Sequence, residues 1–448
     1  MAKYLPVLRT LLLVCLAWIP AASSAATQQS SAEEPLPDPL TLEYALSLAG
    51  KSGAEMTQAD AGRTLAQAES AISQAEDGFN LSIEGYARYI EPAETAYDQS
   101  NYDEKLGLVL RKNLIDFGRT DATQAAAAAS IQGAEWRYQD AFSQQRIAVM
   151  AAYFDVLRAD LAFARDNEAM AVAYVSLDKL RDRHELGQVS DIDLLEMESN
   201  YQTARRQQAL SASKQRLTRS RLAIALDRPG MLPANLARPV LANLKRPLPD
   251  YDALLDLAVK ENPVIKALHA EIDAAQQRQR AAAAQGRPRI DAEVEAAQYS
   301  RDMGSGDPLR AGVVFSMPLY TGGAVSARVA KQQAETYRLQ GKLREAENDV
   351  RQSLLELWLN LDTLRVKREE NRAQQDYRDL YLDRSRASYE MEVQTDLGDA
   401  MVRLTEAELA TLDTDLSIEL LWARIDALVG GKSAELSMQQ TDSEASGS

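Results

Sequence analysis

From Thr120 to Leu186 the chain contains no proline and one glycine, Gly133. Proline removes an amide donor and clashes with the preceding helical turn, and glycine costs ~1 kcal/mol relative to alanine inside a helix. A stretch that avoids both for so long is predicted to be one continuous helix. At 1.5 Å per residue, about 65 residues extend ~100 Å. The same avoidance recurs from Gln188 to Arg228, from Ala324 to Leu397 with only Gly341, and from Asp399 to Val429. Strong helix formers (Ala, Gln, Arg, Glu and Leu) fill these stretches. Apolar positions such as Ile147, Met150, Tyr153, Leu157 and Leu161 recur at three and four, one stripe toward neighbouring helices. Helices of this length suit a coiled-coil rod or a tube crossing a wide compartment better than a compact globule.

The long stretches belong to a pattern written twice. Leu106–Gly118 aligns without gaps on Ala311–Gly323: Gly107 falls on Gly312, Leu110 on Phe315, Leu114 on Leu319 and Gly118 on Gly323. The same register brings Ser190-Asp191-Ile192 onto Thr395-Asp396-Leu397. A period of about 200 residues is too long for a solenoid unit and reads as duplication of a whole half. Residues 228–249, with five prolines, form the connector. Each half is expected to begin with a helix (Thr41–Glu76 and Asp250–Gln285), continue through two strands and end in a long helical hairpin. The expected organisation is a signal peptide at 1–26, a flexible lead at 27–39, a first half at 40–247, a second half at 248–430 and a disordered tail at 431–448. The first half places its β-hairpin at 80–115 and its helical tip near 187–191; the second places them at 289–320 and near 392–398.

The strands alternate. Leu81, Ile83, Ala87 and Tyr89 face one way and Ser82, Glu84, Tyr86 and Arg88 the other; Val294 and Ala296 alternate with Glu293 and Glu295, and Val313 and Phe315 with Gly312 and Val314. Runs of about ten residues with one apolar and one charged face fit strands crossing a bilayer, with lipid on one side and water on the other. A soluble, half-buried sheet gives the same alternation. Polar segments, Glu91–Asp103 and Ser300–Leu309, link the strands at one end, and Gly118 and Gly323 lead into the helices at the other. Four strands cannot close a barrel alone, and open edges are not tolerated in lipid. On the bilayer reading the chain must oligomerise, and three copies supply twelve strands.

Composition excludes several classes. A net charge of −16 argues against a nucleic-acid binder working by counterion release. A mean hydropathy of −0.34 argues against helical membrane spans. One cysteine and two histidines leave little for Cys/His metal sites or histidine catalysis. Lys3 and Arg9, the apolar run Leu11–Trp18 and the small residues Ala21–Ala26 read as a secretory signal peptide. Its removal discards Cys15 and, with Lys3 and Arg9, takes the charge to −18. His184 and His269 are isolated and read as solvated helix residues. Asp302–Asp307 lacks the ligand ladder and terminal Glu of a calcium loop. No enzyme activity, cofactor or metal is expected.

The ordered set of marks resembles the TolC family of outer-membrane efflux and secretion channels. The marks are the duplicated halves, the strand-to-helix signature Pro318-Leu319-Tyr320-Thr321-Gly322-Gly323, the tip Gly187–Leu195 and the half start Glu261-Asn262-Pro263. The resemblance implies a mainly α chain with a small β part: a long α-helical barrel plus a trimeric twelve-stranded transmembrane β-barrel, four strands per chain. It implies a homotrimer in the outer membrane of a Gram-negative bacterium, extending into the periplasm. Its partners would be outer-membrane lipid, a periplasmic adaptor and an inner-membrane transporter, with no nucleic acid. The sequence departs from the pattern in places. Gly53-Ala54 stands opposite Asn262-Pro263, Asn113 and Phe117 replace Pro318 and Gly322, and Glu392 stands where Gly187 does.

The expected function is a passive exit duct of a tripartite efflux pump or type I secretion system, opened at its helical tips; the alternatives are a periplasmic adaptor and a coiled-coil scaffold. Gly118, Gly322 and Gly323 are the strand-to-helix turns. Gly187, Ser190, Glu392 and Thr395 are the tip turns and adaptor contacts. Asp191, Asp193, Asp396 and Asp399 are the gate acids. Asp396 and Asp399, three apart, would share a helix face, and in a trimer each would form a ring of carboxylates that attracts cations. The family's gate positions fall nearest Gly398 and Met401, so these acids are displaced from them. Acids also favour helix N-termini for purely local reasons.

Overall fold

The computed structural model describes residues 35–50, 53–301, 306–391 and 396–432. The expected signal peptide, Glu392, Thr395 and the tail beyond Lys432 lie outside these residues. The chain divides after Pro37. Residues 35–37 of the first unit have no regular structure, and the account below concerns the second unit.

The first half runs α1 (Leu42–Leu48), α2 (Ala54–Glu76), β1 (Asn80–Tyr89), β2 (Tyr102–Ile115), α3 (Arg119–Glu185) and α4 (Asp191–Ala225). After a connector with one 3₁₀ turn, Asn243–Lys245, the second half repeats the order: α5 (Tyr251–Glu261), α6 (Pro263–Ala284), β3 (Arg289–Tyr299), β4 (Leu309–Ser316), α7 (Ala324–Glu390) and α8 (Leu397–Leu428). Both α3 and α7 have 67 residues, ~100 Å each.

The opening helix of each half is broken, where the sequence pattern suggested one piece. In the second half Pro263 cannot continue α5, and the Asn262 side chain instead accepts from the amides of Val264 and Ile265 at 3.0 and 3.2 Å, starting α6. The first half breaks at the equivalent place by other means: Gly53 takes φ +127°, a conformation that favours glycine. β4 ends at Ser316, short of the expected 320; Pro318 has no amide to donate to a ladder.

The sheet order is β1-β2-β3-β4, antiparallel throughout, with β2 and β3 joining the halves. Registers align Leu81, Leu110, Val294 and Ala311 in one cross-strand row and Ile83, Leu108, Ala296 and Leu309 in the next. The outer edges of β1 and β4 have no strand partner among the described residues. Next to the sheet the helices follow the strand order, α2 beside α3, α3 beside α6, α6 beside α7. Further along, α4 packs on α3, α3 on α8 and α8 on α7. Small residues allow this thin wall: Gly133 of α3 lies against Ala267 and Ala270 of α6. One cluster of buried side chains gathers Leu254, Ile265, Leu354, Leu361, Trp422 and Ile425 from α5–α8. Nearby, the buried Tyr153 hydroxyl is shared between the carbonyls of Leu40 (2.8 Å) and Ala237 (2.6 Å), tying the chain start and connector to α3.

Candidate functional site

The two faces of the sheet differ in what covers them. Leu81, Ile83, Leu106, Leu108, Leu309, Val313 and Phe315 lie on one face, all exposed, with Leu81 at 66% and Phe315 at 63%. In a soluble half-buried sheet this face would be packed against a layer; here it is bare. Aromatic and large apolar residues flank the band. Tyr89 and Tyr102 meet edge to face at the loop end, 6.0 Å apart, and exposed Phe79, Phe117, Leu319 and Tyr320 lie at the helix end. Ten residues separate Phe79 from Tyr89, ~33 Å along a strand and ~25 Å at the usual barrel tilt, the height of an outer-membrane apolar band.

The opposite face carries a lattice of charges. Arg111 bridges Glu84 (2.5 Å) and Glu293 (2.9 Å) across three strands. Glu295 is shared by Lys105 and Arg310. Arg88 pairs with Asp103 at 2.8 Å and Arg289 with Asp291 at 2.6 Å. Every charged side chain on this face of the four strands has a partner of opposite sign. Alternation suggested a charged face; the cross-strand register that pairs it was not legible without the fold.

At the elbows each half uses two consecutive left-handed residues to turn strand into helix. The second half has Gly322 (φ +61°) and Gly323 (φ +82°); the first has Phe117 (φ +54°) and Gly118 (φ +91°). The positions expected as turns are those that need the left-handed conformation, and Phe117 adopts it despite its side chain. Asp116 caps α3, accepting from the amides of Gly118, Arg119 and Thr120 at 3.2, 3.1 and 2.8 Å.

The first tip closes with Gly187 at φ +72°. Its amide donates to the His184 carbonyl (2.8 Å), and that of Gln188 to the Arg183 carbonyl (2.9 Å), satisfying the end of α3. Ser190 and Asp193 form a reciprocal cap on α4: the Asp193 amide donates to the Ser190 hydroxyl oxygen (3.3 Å), and the Ser190 amide donates to the Asp193 carboxylate (3.1 Å). The Ser190 hydroxyl and amide hold the Asp193 carboxyl below the usual range. His184 Nε2 lies 2.6 Å from Asp191, so this histidine has a carboxylate neighbour that sequence reading had missed. Two of the expected gate acids are thus engaged in shaping their own hairpin.

At the second tip Asp396 precedes α8 and does not cap it. Its carboxylate turns back to α7, accepting from the hydroxyls of Tyr381 and Ser385, the latter at 3.0 Å. The Tyr381 hydroxyl holds the Asp396 carboxyl below its ordinary value and is itself raised by the carboxylate. Asp399 instead pairs along α8 with Arg403 at 3.5 Å. The expected shared face is therefore corrected: the two carboxylates engage different helices, because Asp396 lies outside the helical spacing. Tyr381 and Ser385, four apart on α7, are partners that the sequence did not single out. Gly398 lies against Val172 of α3, close enough that a Cβ would be 2.7 Å from a γ-carbon.

Among the described residues no cluster of three or more His, Cys, Asp or Glu is placed to hold a metal, and no helix is long and apolar enough to cross a membrane.

Comparison with known proteins places this geometry. Residues 254–431 match the family described as "Outer membrane efflux protein". The first half repeats the element order of this matched region. Outer membrane efflux protein BepC of Brucella suis biovar 1 (strain 1330) is 24% identical over 272 residues, 60% of this chain and 58% of that protein. The fold matches a membrane protein from Pseudomonas aeruginosa (TM-score 0.71, 19% identity, covering 87% of this chain and 90% of that one). It also matches the Campylobacter jejuni CmeC outer membrane channel (0.70, 18%, 90% and 88%) and the open state of the Neisseria gonorrhoeae MtrE outer membrane channel (0.68, 18%, 87% and 89%). The expected fold class, mainly α with a small four-stranded β part, is borne out, and the match over residues 254–431 is to the family that the sequence resembles. The family is one of channels rather than enzymes.

Proposed function

We propose that the chain is one subunit of a trimeric outer-membrane duct, through which solutes handed over in the periplasm by an adaptor and an inner-membrane transporter leave the cell. The observation that carries the reading is the bare apolar face of the sheet, backed by a charged face in which every ion is paired. Such a sheet is stable only if lipid covers the first face, water wets the second, and its edges find partners. CmeC and MtrE are outer membrane channels by description, which supports the same role here. An adaptor or scaffold role would leave the sheet face without a purpose.

The helices support closure by further copies. Exposed Leu210, Leu217 and Ile224 recur every seven residues on α4, and exposed Leu359, Val366 and Leu380 keep the same register on α7. A heptad stripe is a seam awaiting another helix. α4 runs away from its tip and α7 toward its own, so the two stripes fit antiparallel between neighbouring copies. In this reading Gly187, Ser190, Glu392 and Thr395 lie where an adaptor would touch, and Asp191, Asp193, Asp396 and Asp399 contribute negative charge near the mouth. Opening is a splaying of the tip hairpins. Membrane fractionation with unheated gel migration tests the proposal: a detergent-stable trimer in the outer membrane is expected, and Leu217→Asp should reduce it to monomer. A soluble periplasmic monomer from the unaltered chain would refute it.

A further inference from the structure

Where the strands turn into helices, three contiguous clefts open between α2, α3, α6 and α7, with Gln285 lining all of them. The largest holds about 530 Å³; the others hold about 160 and 230 Å³. They adjoin the charged face of the sheet, since Arg111, Asn113 and Asp291 of that face line the largest.

In a chain with net charge −16, this region is basic. Seven cations line the clefts against three carboxylates, Glu76, Asp116 and Asp291. Arg111 and Arg289 are committed to strand carboxylates, and Asp116 is committed to the start of α3. Arg119, Arg278, Arg287, Arg328 and Lys331 remain, and none of the five is ion-paired among the described residues. Three of these are held by neutral acceptors: Arg278 donates to the Ser130 hydroxyl oxygen (2.7 Å), Arg287 to the Phe117 carbonyl (2.8 Å) and Arg328 to Gln285 (2.5 Å). Arg278 also lies within the field of the Glu335 carboxylate, but Arg287 and Arg328 are positioned without an acidic partner among the described residues, whereas every charge on the strand face above them is cancelled. A second observation points the same way. Ser73, 8% exposed, belongs to the lining of the largest cleft, and its hydroxyl has no hydrogen-bond partner among the described residues. A buried hydroxyl left unmade costs ~1–3 kcal/mol.

We infer that this elbow is a binding site for organic anions in transit, molecules bearing two or more carboxylates or a phosphate. Guanidinium groups match such oxygens in planar, bidentate fashion, the Ser73 hydroxyl adds a donor, and the largest cleft lies in the size range of small-molecule sites. The inference rests on the duct reading and deepens it by naming a solute class. The lining would recur in each copy, giving a cationic ring between the charge-balanced strand section and the acidic tips. A lipid phosphate would offer the same chemistry, but the clefts adjoin the face turned from lipid, so a dissolved solute is the proposed occupant.

The test uses the full chain in planar bilayers of phosphatidylcholine, with benzene-1,3,5-tricarboxylate as probe. Half-block is expected at millimolar concentration or below. The triple variant R119Q/R328Q/K331Q should need at least tenfold more, relative to its own unblocked conductance, and S73A about threefold more. Lys367→Gln, away from the elbow, should change nothing. A wild-type channel that is not blocked, or a triple variant blocked as readily as wild type, overturns the inference. So does block that depends on added phosphatidylglycerol, which would assign the site to a headgroup. If the protein forms no channel the duct reading fails instead; calorimetric titration of the tricarboxylate into detergent-solubilised wild type and triple variant then still decides the site, equal affinity overturning it.

Discussion

Gly398→Ala is the substitution whose consequence follows most directly from the packing. Gly398 lies in the first turn of α8, and a Cβ there would sit 2.7 Å from one γ-carbon of Val172 and 3.1 Å from the other. Carbon atoms in contact are ~3.5–4.0 Å apart, so α8 must retreat from α3 by ~1 Å or Val172 must leave its rotamer. Overpacking of this kind costs ~1–3 kcal/mol. Alanine also favours helix over glycine by at most ~1 kcal/mol. The two effects act on different equilibria. Propensity stabilises α8 docked or not, whereas overpacking penalises only the docked hairpin. Thermal unfolding should therefore change little, while the second tip shifts toward its undocked state by ~5- to 150-fold, the factor equivalent to ~1–3 kcal/mol. In planar bilayers the variant should be open more often or conduct more. Val172→Ala removes both γ-carbons, so the double variant should return toward wild type, a coupling of at least ~1 kcal/mol. Unchanged conductance in Gly398→Ala, or a double variant no closer to wild type than the single, would refute the reasoning.

Asp396→Ala combined with Asp399→Ala should raise single-channel conductance and weaken block by cations; unchanged conductance would remove these acids from any gating role. Because the Tyr381 and Ser385 hydroxyls lower the Asp396 pKa, the tie to α7 is complete above the ordinary carboxylate value and is lost only as pH falls through the lowered one; Tyr381→Phe should move tip loosening to higher pH, read from conductance against pH. Gly323→Ala should cost ~1–2 kcal/mol for the left-handed conformation, whereas Phe117→Gly, which relieves it, should not lower the unfolding midpoint. Burial pushes the Tyr153 hydroxyl up to about 12, so its stabilising effect is complete below pH ~10 and disappears as pH rises through 12, ~3 kcal/mol in all. Tyr153→Phe should remove that alkaline transition from a series of unfolding midpoints and cost ~1–2 kcal/mol at neutral pH.

Where the sequence was legible, local rules acted alone. Gly118 and Gly323 announce the elbows because few other residues adopt the left-handed conformation cheaply, and Ser190 with Asp193 announces a helix start through its cap. The break in the opening helices shows the limit. Pro263 signals it in the second half, but Gly53 reaches the same result by a backbone rotation that an isolated glycine does not advertise. The tip acids were visible as charges; their engagement was not, because Tyr381 reaches Asp396 across a hairpin fifteen residues long, and spacing on one helix does not describe contact between two.

Periodicity, and the places where proline and glycine are allowed, set the repeated order of elements, the length of the helices and the two-faced character of the strands. That the apolar face is bare and the charged face fully paired emerges from the folded chain. Folding also gathers Arg119, Arg278, Arg287, Arg328 and Lys331 around one set of clefts and sets Gly398 against Val172. The physical reason is the same in each case. Periodicity fixes which way a side chain points from its own element, while its partner is chosen by register and packing between segments up to about 200 residues apart.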